Sequence, residues 1–405
     1  MKIGYFIPEF PSQTHNFFWR ERQALQELGI DTSLISTRRP NSGTISPSWS
    51  KEAQSETAYL FPLSFLDVIH VFITSWTSGP KAWTHCIGIV VNAPDMSPIQ
   101  KLRLMFLTLI AAKLVRLSKQ QGWSHVHVHS CADAANIAMF ASILSTLTYS
   151  LTLHNSLYVY GSNQEQKWYH AKFGVVINQK TFEEIHDKLA AYIPEHIQIA
   201  PMGVDCNKFK RSYAYFPYDG EGVLRLFSCG RLNLIKGHAY LIAAVDALRK
   251  KGINVRLEIA GEDEKGGHGY RKELEQLVQD LNLGEIVTFL GSISEESLKL
   301  ALEKAHIFIL ASLDEGVPVA PMEAMAMEIP VVVTDVGGVT ELVDNGIDGI
   351  VVPPQNSDAI VNSVLQIVKS QDLAMRLSRN GRDKIVTSFT QRRSAKTIAN
   401  LLENI

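Results

Sequence analysis

Cysteine is scarce in this chain of 405 residues, with only Cys86, Cys131, Cys206 and Cys229, widely scattered and forming no C-x-x-C pair. That spacing argues against a disulfide framework and for reduced thiols in a cytosolic setting. The first residues, Met1 to Pro8, hold too short an apolar run for a signal peptide. The longest uncharged stretch, Ala134 to Leu153, approaches membrane-spanning length but is rich in Ser and Thr. It reads better as a helix over 133–144 followed by a strand over 149–153, so no transmembrane helix is expected. A formal charge of −2 leaves no electrostatic footprint for a nucleic-acid partner. Two further absences narrow the chemistry. No Asp-x-Asp occurs anywhere in the chain, and the loop after the first strand, Pro8 to His15, lacks the G-x-G-x-x-G of a dinucleotide site.

What is present is ordinary in bulk, with 46% hydrophobic and 20% charged residues. The length suggests two domains or three, and recurring strand-loop-helix units make the class α/β. Lys2 to Ile7 reads as a buried strand and Asn16 to Leu28 as a helix closed by Gly29. Further strands are expected over 31–36, 126–129, 173–177, 224–228, 255–260, 286–290, 307–310, 331–334 and 349–352. Helices are expected over 98–121, 181–189, 239–250, 358–369, 373–386 and 391–404. Arg38 to Ser55 gathers Pro, Ser and Gly and reads as a mobile surface loop. Residues 58–92 yield no assignment. Pro217, Gly220 and Gly222 break periodicity where a domain boundary is expected.

One stretch concentrates the chemistry. Asp314 to Ala326 follows the apolar run Ile307 to Leu310 and leads into a helix expected from Pro321, with Glu315 in the loop and Glu323 in the first helical turn. Helix starts hold anions, and carboxylates accept hydrogen bonds from hydroxyls. The corner therefore suits a molecule with both phosphates and hydroxyls, such as a nucleotide sugar. Arg231 and Lys236 flank a second strand-loop-helix corner, where a multi-donor fork and a compact ammonium are able to bind a diphosphate. Other charged groups are less specific. Glu262, Asp263 and Glu264 on a Gly-rich loop read as solvated. His125, His127 and His129 share one strand face near Cys131 and Asp133, a set open to a metal or to hydrogen bonds within the core. The basic amphipathic helix over 98–121 is open to two readings: it lies on a membrane surface, or it packs on the sheet with its cations in water.

Glu315 and Glu323, with seven residues between them, are followed by Ala324-Met325-Ala326, Pro330 to Thr334, Gly337-Gly338, Glu341-Leu342-Val343 and Gly346 through Pro353. This ordered series resembles the donor-site signature of retaining glycosyltransferases of family 4, which have the GT-B fold of two Rossmann-like doubly wound domains facing across a cleft. Cys229-Gly230-Arg231-Leu232 with Lys236-Gly237, and Gly203-Val204-Asp205, resemble the same family. The resemblance implies an acceptor domain over 1–207, a donor domain over 208–386 and a last helix over 387–405 crossing back to the first domain.

It also implies roles for residues. Arg231 and Lys236 would offset charge on a leaving diphosphate, Glu323 would bind ribose hydroxyls, and Glu315 with the Gly316-Val317-Pro318 backbone would orient the sugar. Ile293 falls in a turn beside the nucleotide base. His154 reaches toward the donor sugar, and His15 and Asn16 lie in a loop facing acceptor and phosphates, although N-capping by Thr14 or Asn16 explains that loop equally. Two departures stand out: Asn155 where the family has Gly or Asp, and Glu328 where it has Gly.

The implied reaction moves a hexose-type sugar from a nucleoside-diphosphate donor, of UDP or GDP type, to an acceptor hydroxyl with retention and without a metal. The Phe-Pro-Ser loop and the Glu21-x-x-Ala24-Leu25 helix resemble polysaccharide-building members. They imply a glycan or lipid-linked acceptor, handled in the cytoplasm or, by peripheral contact, at the inner face of the membrane. Two rivals stand beside this: a nicotinamide oxidoreductase, disfavoured by the missing fingerprint, and a non-catalytic nucleotide-sugar-binding scaffold.

Overall fold

Short apolar runs alternating with amphipathic helices are the pattern of parallel sheets covered on both faces. The computed structural model, which describes residues 1–12, 15–40, 49–94 and 96–405, contains two such sheets. One compact unit comprises Met1–Asn41, Trp49–Pro201 and Ser394–Ile405, and a second comprises Met202–Arg393. The sequence reading set its divisions at 207/208 and 386/387.

In the first unit the strands are β1 (Lys2–Glu9), β2 (Asp31–Arg38), β3 (Ala58–Tyr59), β4 (His125–Val128), β5 (Thr148–Leu153), β6 (Gly174–Val176) and β7 (Ile197–Ile199). They lie parallel in the order β3-β2-β1-β4-β5-β6-β7. The helix Asp133–Leu144 is buried along nearly its whole length, which accounts for the uncharged stretch as core. Pro98–Gln121 forms with the expected bounds because Ser97 and Gln100 make a capping box, Pro98 opens the first turn and Gly122 closes the last in the left-handed conformation. It packs through Leu104, Leu107, Ile110 and Leu114.

The unassigned stretch contains a helix over Phe65–Asn92, broken at Gly79 (φ 74°) ahead of Pro80. The loop expected over 38–55 is corrected at its end, where Ser50–Glu56 is a helix, and β2 reaches Arg38; residues 41–48 lie outside the described residues, as does Thr14. The start of helix Asn16–Glu27 is His15, whose side chain makes no capping bond.

The second unit holds β8 (Leu224–Cys229), β9 (Val255–Ala260), β10 (Val287–Gly291), β11 (Ile307–Leu310), β12 (Val331–Thr334) and β13 (Ile350–Val352), parallel in the order β10-β9-β8-β11-β12-β13. The strand order reverses between β8 and β11, and the carboxyl ends there open a crevice for ligands. The Gly203-Val204-Asp205 segment has a structural task. Val204 exchanges backbone hydrogen bonds with Phe389 and Gln391, and a Cβ on Gly203 would lie 2.1 Å from the Thr390 backbone. Two helices the sequence reading did not assign, Tyr270–Asp280 and Glu295–Lys304, complete the layers.

One helix boundary differs from expectation. The helix after β11 runs Val319–Ala326 with Pro318 as its N-cap, so Pro321 is its third residue and Glu323 falls in the second turn. Pro321 is tolerated there because the first four N–H groups of a helix have no intrahelical partner. Glu328 ends this helix in the left-handed conformation (φ 58°), with its N–H on the Met325 carbonyl and that of Ile329 on Ala324. Glycine adopts that conformation without the Cβ penalty. Glu328→Gly is therefore expected to stabilise the second unit by about 1 kcal/mol in urea unfolding; a loss of stability would contradict this account of the helix end.

Candidate functional site

At the reversal point the loops after β8 and β11 interlock. Gly230 and Leu232 hang on the end of β9 through bonds to Ala260 and Glu262 carbonyls, and Asn233 caps the single turn Leu234–Lys236 through its side chain. Leu313 donates its N–H to the Ile235 carbonyl at 2.6 Å. Gly237 (φ 63°) lies so close to β11 that a Cβ would sit 1.9 Å from the Ala311 carbonyl oxygen. These contacts aim Lys236 at Glu315: Nζ stands 2.5 Å from Oε1, and the Ser312 hydroxyl donates to the same oxygen at 2.6 Å. The carboxylate side chain is 9% exposed and the lysine 19%. Little water competes with the pair, so its charges act strongly on anything that enters.

The loop after β12 supports Glu315 from behind. Gly338 donates to the Gly316 carbonyl at 2.8 Å, and Thr334 donates through its hydroxyl to the Ser312 carbonyl at 2.6 Å. Gly337 (φ 55°) would place a Cβ 1.6 Å from the Glu315 carbonyl oxygen. The sequence reading gave the Gly337-Gly338 pair the task of approaching a ligand. Its observed task is to approach the Glu315 backbone.

The other expected residues are distributed as follows. Glu323 is buried on the helix after β11, and its negative charge adds to burial in pushing the Cys229 thiol up to about 12, which places the carboxylate near the end of β8. Val317 and Pro318 line the start of the same helix, which has no side-chain cap on its N–H groups. Arg231 precedes the capped turn, its guanidinium half exposed and 3.9 Å from Glu264. Ile293 follows β10, at the far edge of the sheet, half-buried against the second unit's core.

The acidic loop after β9 is not simply solvated. Asp263 is buried and accepts hydrogen bonds from four backbone N–H groups, those of Lys265, Gly267, Gly269 and Arg271, at 2.9 to 3.0 Å. Glu262 pairs with Arg271 at 2.5 Å. Burial pushes the Asp263 carboxyl up, but the four donors outweigh it and hold the group below the usual carboxylate range. Its contribution to stability is thus full above the unfolded-state value and is lost as pH falls through the lower folded value. Asp263→Ala should cost about 2 to 4 kcal/mol in denaturant unfolding, because four donors lose their acceptor; a change within a few tenths would show the loop to be solvated after all.

The first unit holds the remaining candidates, His154, His15 and Asn16. His154 directly follows β5, and its Nε2 is hydrogen-bonded to His129 Nδ1 at 3.1 Å. Burial first, then neighbouring histidines, holds His129 well below its ordinary range, and burial with nearby His15 holds His154 down to about 3. Both are neutral near pH 7. Glu21 lies behind them, its Oε1 3.2 Å from His129 Nε2 and accepting from the Tyr5 hydroxyl, its Oε2 accepting from Ser394. Asn155 turns its side-chain oxygen onto the N–H of Ser156. His15 packs against Phe10 and Phe18.

For the three-histidine face the structure favours hydrogen bonds over metal. Each ring nitrogen of His125 and His127 lies 2.7 to 2.8 Å from a hydroxyl of Thr148, Ser150 or Thr152, and Asp133 pairs with Arg103. Sequence reasoning missed Ser312 and Asp263. A Ser three residues before the key carboxylate was a usable signal for the first; nothing local marked the second.

The sequence model of the family described as Glycosyl transferases group 1 matches residues 220–384, which contain the whole of this corner. Among curated proteins, the chain is 30% identical over 220 residues to WcaL of Salmonella typhimurium, named for colanic acid biosynthesis, covering 52% of each chain. It is 29% identical over 230 residues to the amylovoran biosynthesis glycosyltransferase AmsK of Erwinia amylovora, covering 54% of each. The aligned region thus spans about half the length of these relatives. Among solved structures, sucrose-phosphate synthase from Thermosynechococcus elongatus superposes with a TM-score of 0.73 at 19% identity, over 100% of this chain and 99% of that one. Anabaena HepE in complex with UDP-glucose superposes with a TM-score of 0.74 at 17% identity, over 100% of both chains. At such identities the likeness is one of fold.

Proposed function

We propose, for a chain whose residues 220–384 are a Glycosyl transferases group 1 domain and whose fold is GT-B, that it transfers a hexose-type sugar from a nucleoside-diphosphate donor, of UDP or GDP type, to an acceptor hydroxyl with retention of configuration. The observation that carries this reading is the Lys236–Glu315 pair, a cation and a carboxylate delivered to one point from the two loops at the strand reversal. A diphosphate entering there draws the ammonium, and the released carboxylate accepts hydrogen bonds from sugar hydroxyls. Glu323 serves the ribose hydroxyls from the next helix, and the Gly316-Val317-Pro318 backbone orients the sugar.

The step breaks the bond between the anomeric carbon and the diphosphate oxygen. The acceptor oxygen bonds on the same face, and its proton passes to the departing phosphate oxygen. Lys236, Arg231 and the helix start at Pro318 offset the charge that grows on the leaving group, a role that otherwise falls to a divalent metal. The colanic acid and amylovoran biosynthesis in the names of WcaL and AmsK supports exopolysaccharide assembly as the setting, and the UDP-glucose in the HepE complex is a donor of the proposed class.

Calorimetric titration of UDP, GDP, ADP and NAD with EDTA present tests the reading. One diphosphate should bind, with EDTA making no difference. Binding of NAD alone, or of no nucleotide, would overturn it.

A further inference from the structure

The helical segment Phe65–Ser78, before the break at Gly79, is inside out. Phe65, Leu66, Ile69, Phe72, Ile73 and Trp76 recur at the spacing of one helix face, and that face is exposed: Phe65 by 80%, Phe72 by 72% and Trp76 by 89%. The inward face carries Asp67 and Thr74, both buried. The orientation is fixed. Asp67 caps Ser64 and pairs with Lys113 at 3.0 Å and Arg116 at 2.9 Å, so rotating the apolar stripe inward would strip two half-buried cations of their counter-ion. Exposed apolar surface of roughly 800 Å², taking about 150–250 Å² for each whole aromatic, exceeds what a soluble monomer ordinarily shows and marks a docking face.

Charge identifies the occupant. Residues 61–121 carry Lys81, Lys101, Arg103, Lys113, Arg116 and Lys119 against Asp67 and Asp95, an excess of four positive charges in a chain whose total is −2. The apolar stripe itself presents no charge or hydrogen-bonding pattern that would set the register of a protein partner. An exposed aromatic and aliphatic face, with Lys81 exposed on the same helix and Arg103 and Lys119 exposed on the next, matches the interface of an anionic bilayer. The segment is fourteen residues long, about 21 Å at 1.5 Å per residue, and no helix among the described residues is long and apolar enough to cross a membrane. We propose that Phe65–Ser78 lies in the headgroup region of an anionic phospholipid bilayer and holds the first unit at the membrane surface. This does not rest on the donor-site reading.

Co-sedimentation of the full chain with phosphatidylcholine vesicles, with and without phosphatidylglycerol, tests it. The wild type should pellet with the mixed vesicles and bind the neutral ones more weakly, and added salt should reduce the difference. A Phe72→Ser, Trp76→Ser double variant should bind at least about tenfold more weakly, with an unchanged melting temperature because both side chains are exposed. Wild-type protein left in the supernatant with the mixed vesicles would overturn the proposal. So would a double variant that pellets as well as the wild type, or a sedimenting dimer that the double variant dissolves, since the face would then belong to a second copy. Nucleotide titration of the same variants reads the donor site separately.

Discussion

Replacing Lys236 with alanine is expected to lower sugar transfer by about 10²- to 10³-fold, the size of effect that follows loss of one preorganised group facing developing charge. The lysine is held in place by a capped single turn, by Gly237 against β11 and by its pair with Glu315. Alanine there removes the ammonium without disturbing those backbone contacts. The diphosphate itself should bind about 1.5 to 3 kcal/mol more weakly, as befits one charge-assisted contact. The excess of the rate effect over the binding effect measures what Lys236 does only as the bond breaks. Steady-state turnover beside calorimetry checks both, and a folded variant with unchanged turnover would remove Lys236 from the site.

Gly337→Ala should be more disruptive still. A Cβ at 1.6 Å from the Glu315 carbonyl oxygen meets backbone, which has no flexible end to swing away, and the left-handed φ of 55° adds strain of about 1 kcal/mol. We expect about 3 to 5 kcal/mol lost from the second unit, at the upper end for a single substitution, and transfer reduced below detection because Glu315 is displaced. Gly346→Ala is the control. It shares a positive φ of 75° but has nothing within 4 Å of the added carbon, so it should cost only about 1 kcal/mol and leave turnover intact. Urea unfolding and turnover measured on both variants decide it; equal effects would show that backbone strain, and not the contact with Glu315, sets the cost.

The contrast between those two glycines also shows where the sequence is readable. A strand reads as a run such as Ile307 to Leu310 because burial on both faces requires every side chain to be apolar. The helix Pro98–Gln121 reads to the residue because its caps are local. The Lys236–Glu315 corner reads because each partner belongs to its own strand-loop-helix unit. What resists reading is contact that exists only once the loops have folded, whether far along the chain or near. Gly337 looks like room for a ligand until the Glu315 carbonyl is seen against it, and Asp263 looks solvated until four N–H groups from the chain beyond it turn back to it. Residues 58–92 resist for another reason: periodicity presumes that apolar faces turn inward, and the face from Phe65 to Trp76 turns outward. The early start of the helix at Val319 escaped because Val-Ala before a proline reads as loop.

The first unit is discontinuous along the chain. Its last piece, Ser394–Ile405, buries Ala395, Ile398, Leu401 and Leu402 and donates the Ser394 hydroxyl to Glu21, near the opposite end of the sequence. During synthesis the second unit, Met202–Arg393, therefore emerges whole before the first has all its parts. The usual order, in which the amino-terminal domain folds first, is inverted in its final step. Until the ribosome delivers Ser394 to Ile405, Glu21 lacks one of its hydrogen-bond donors and the first unit waits with an uncovered flank.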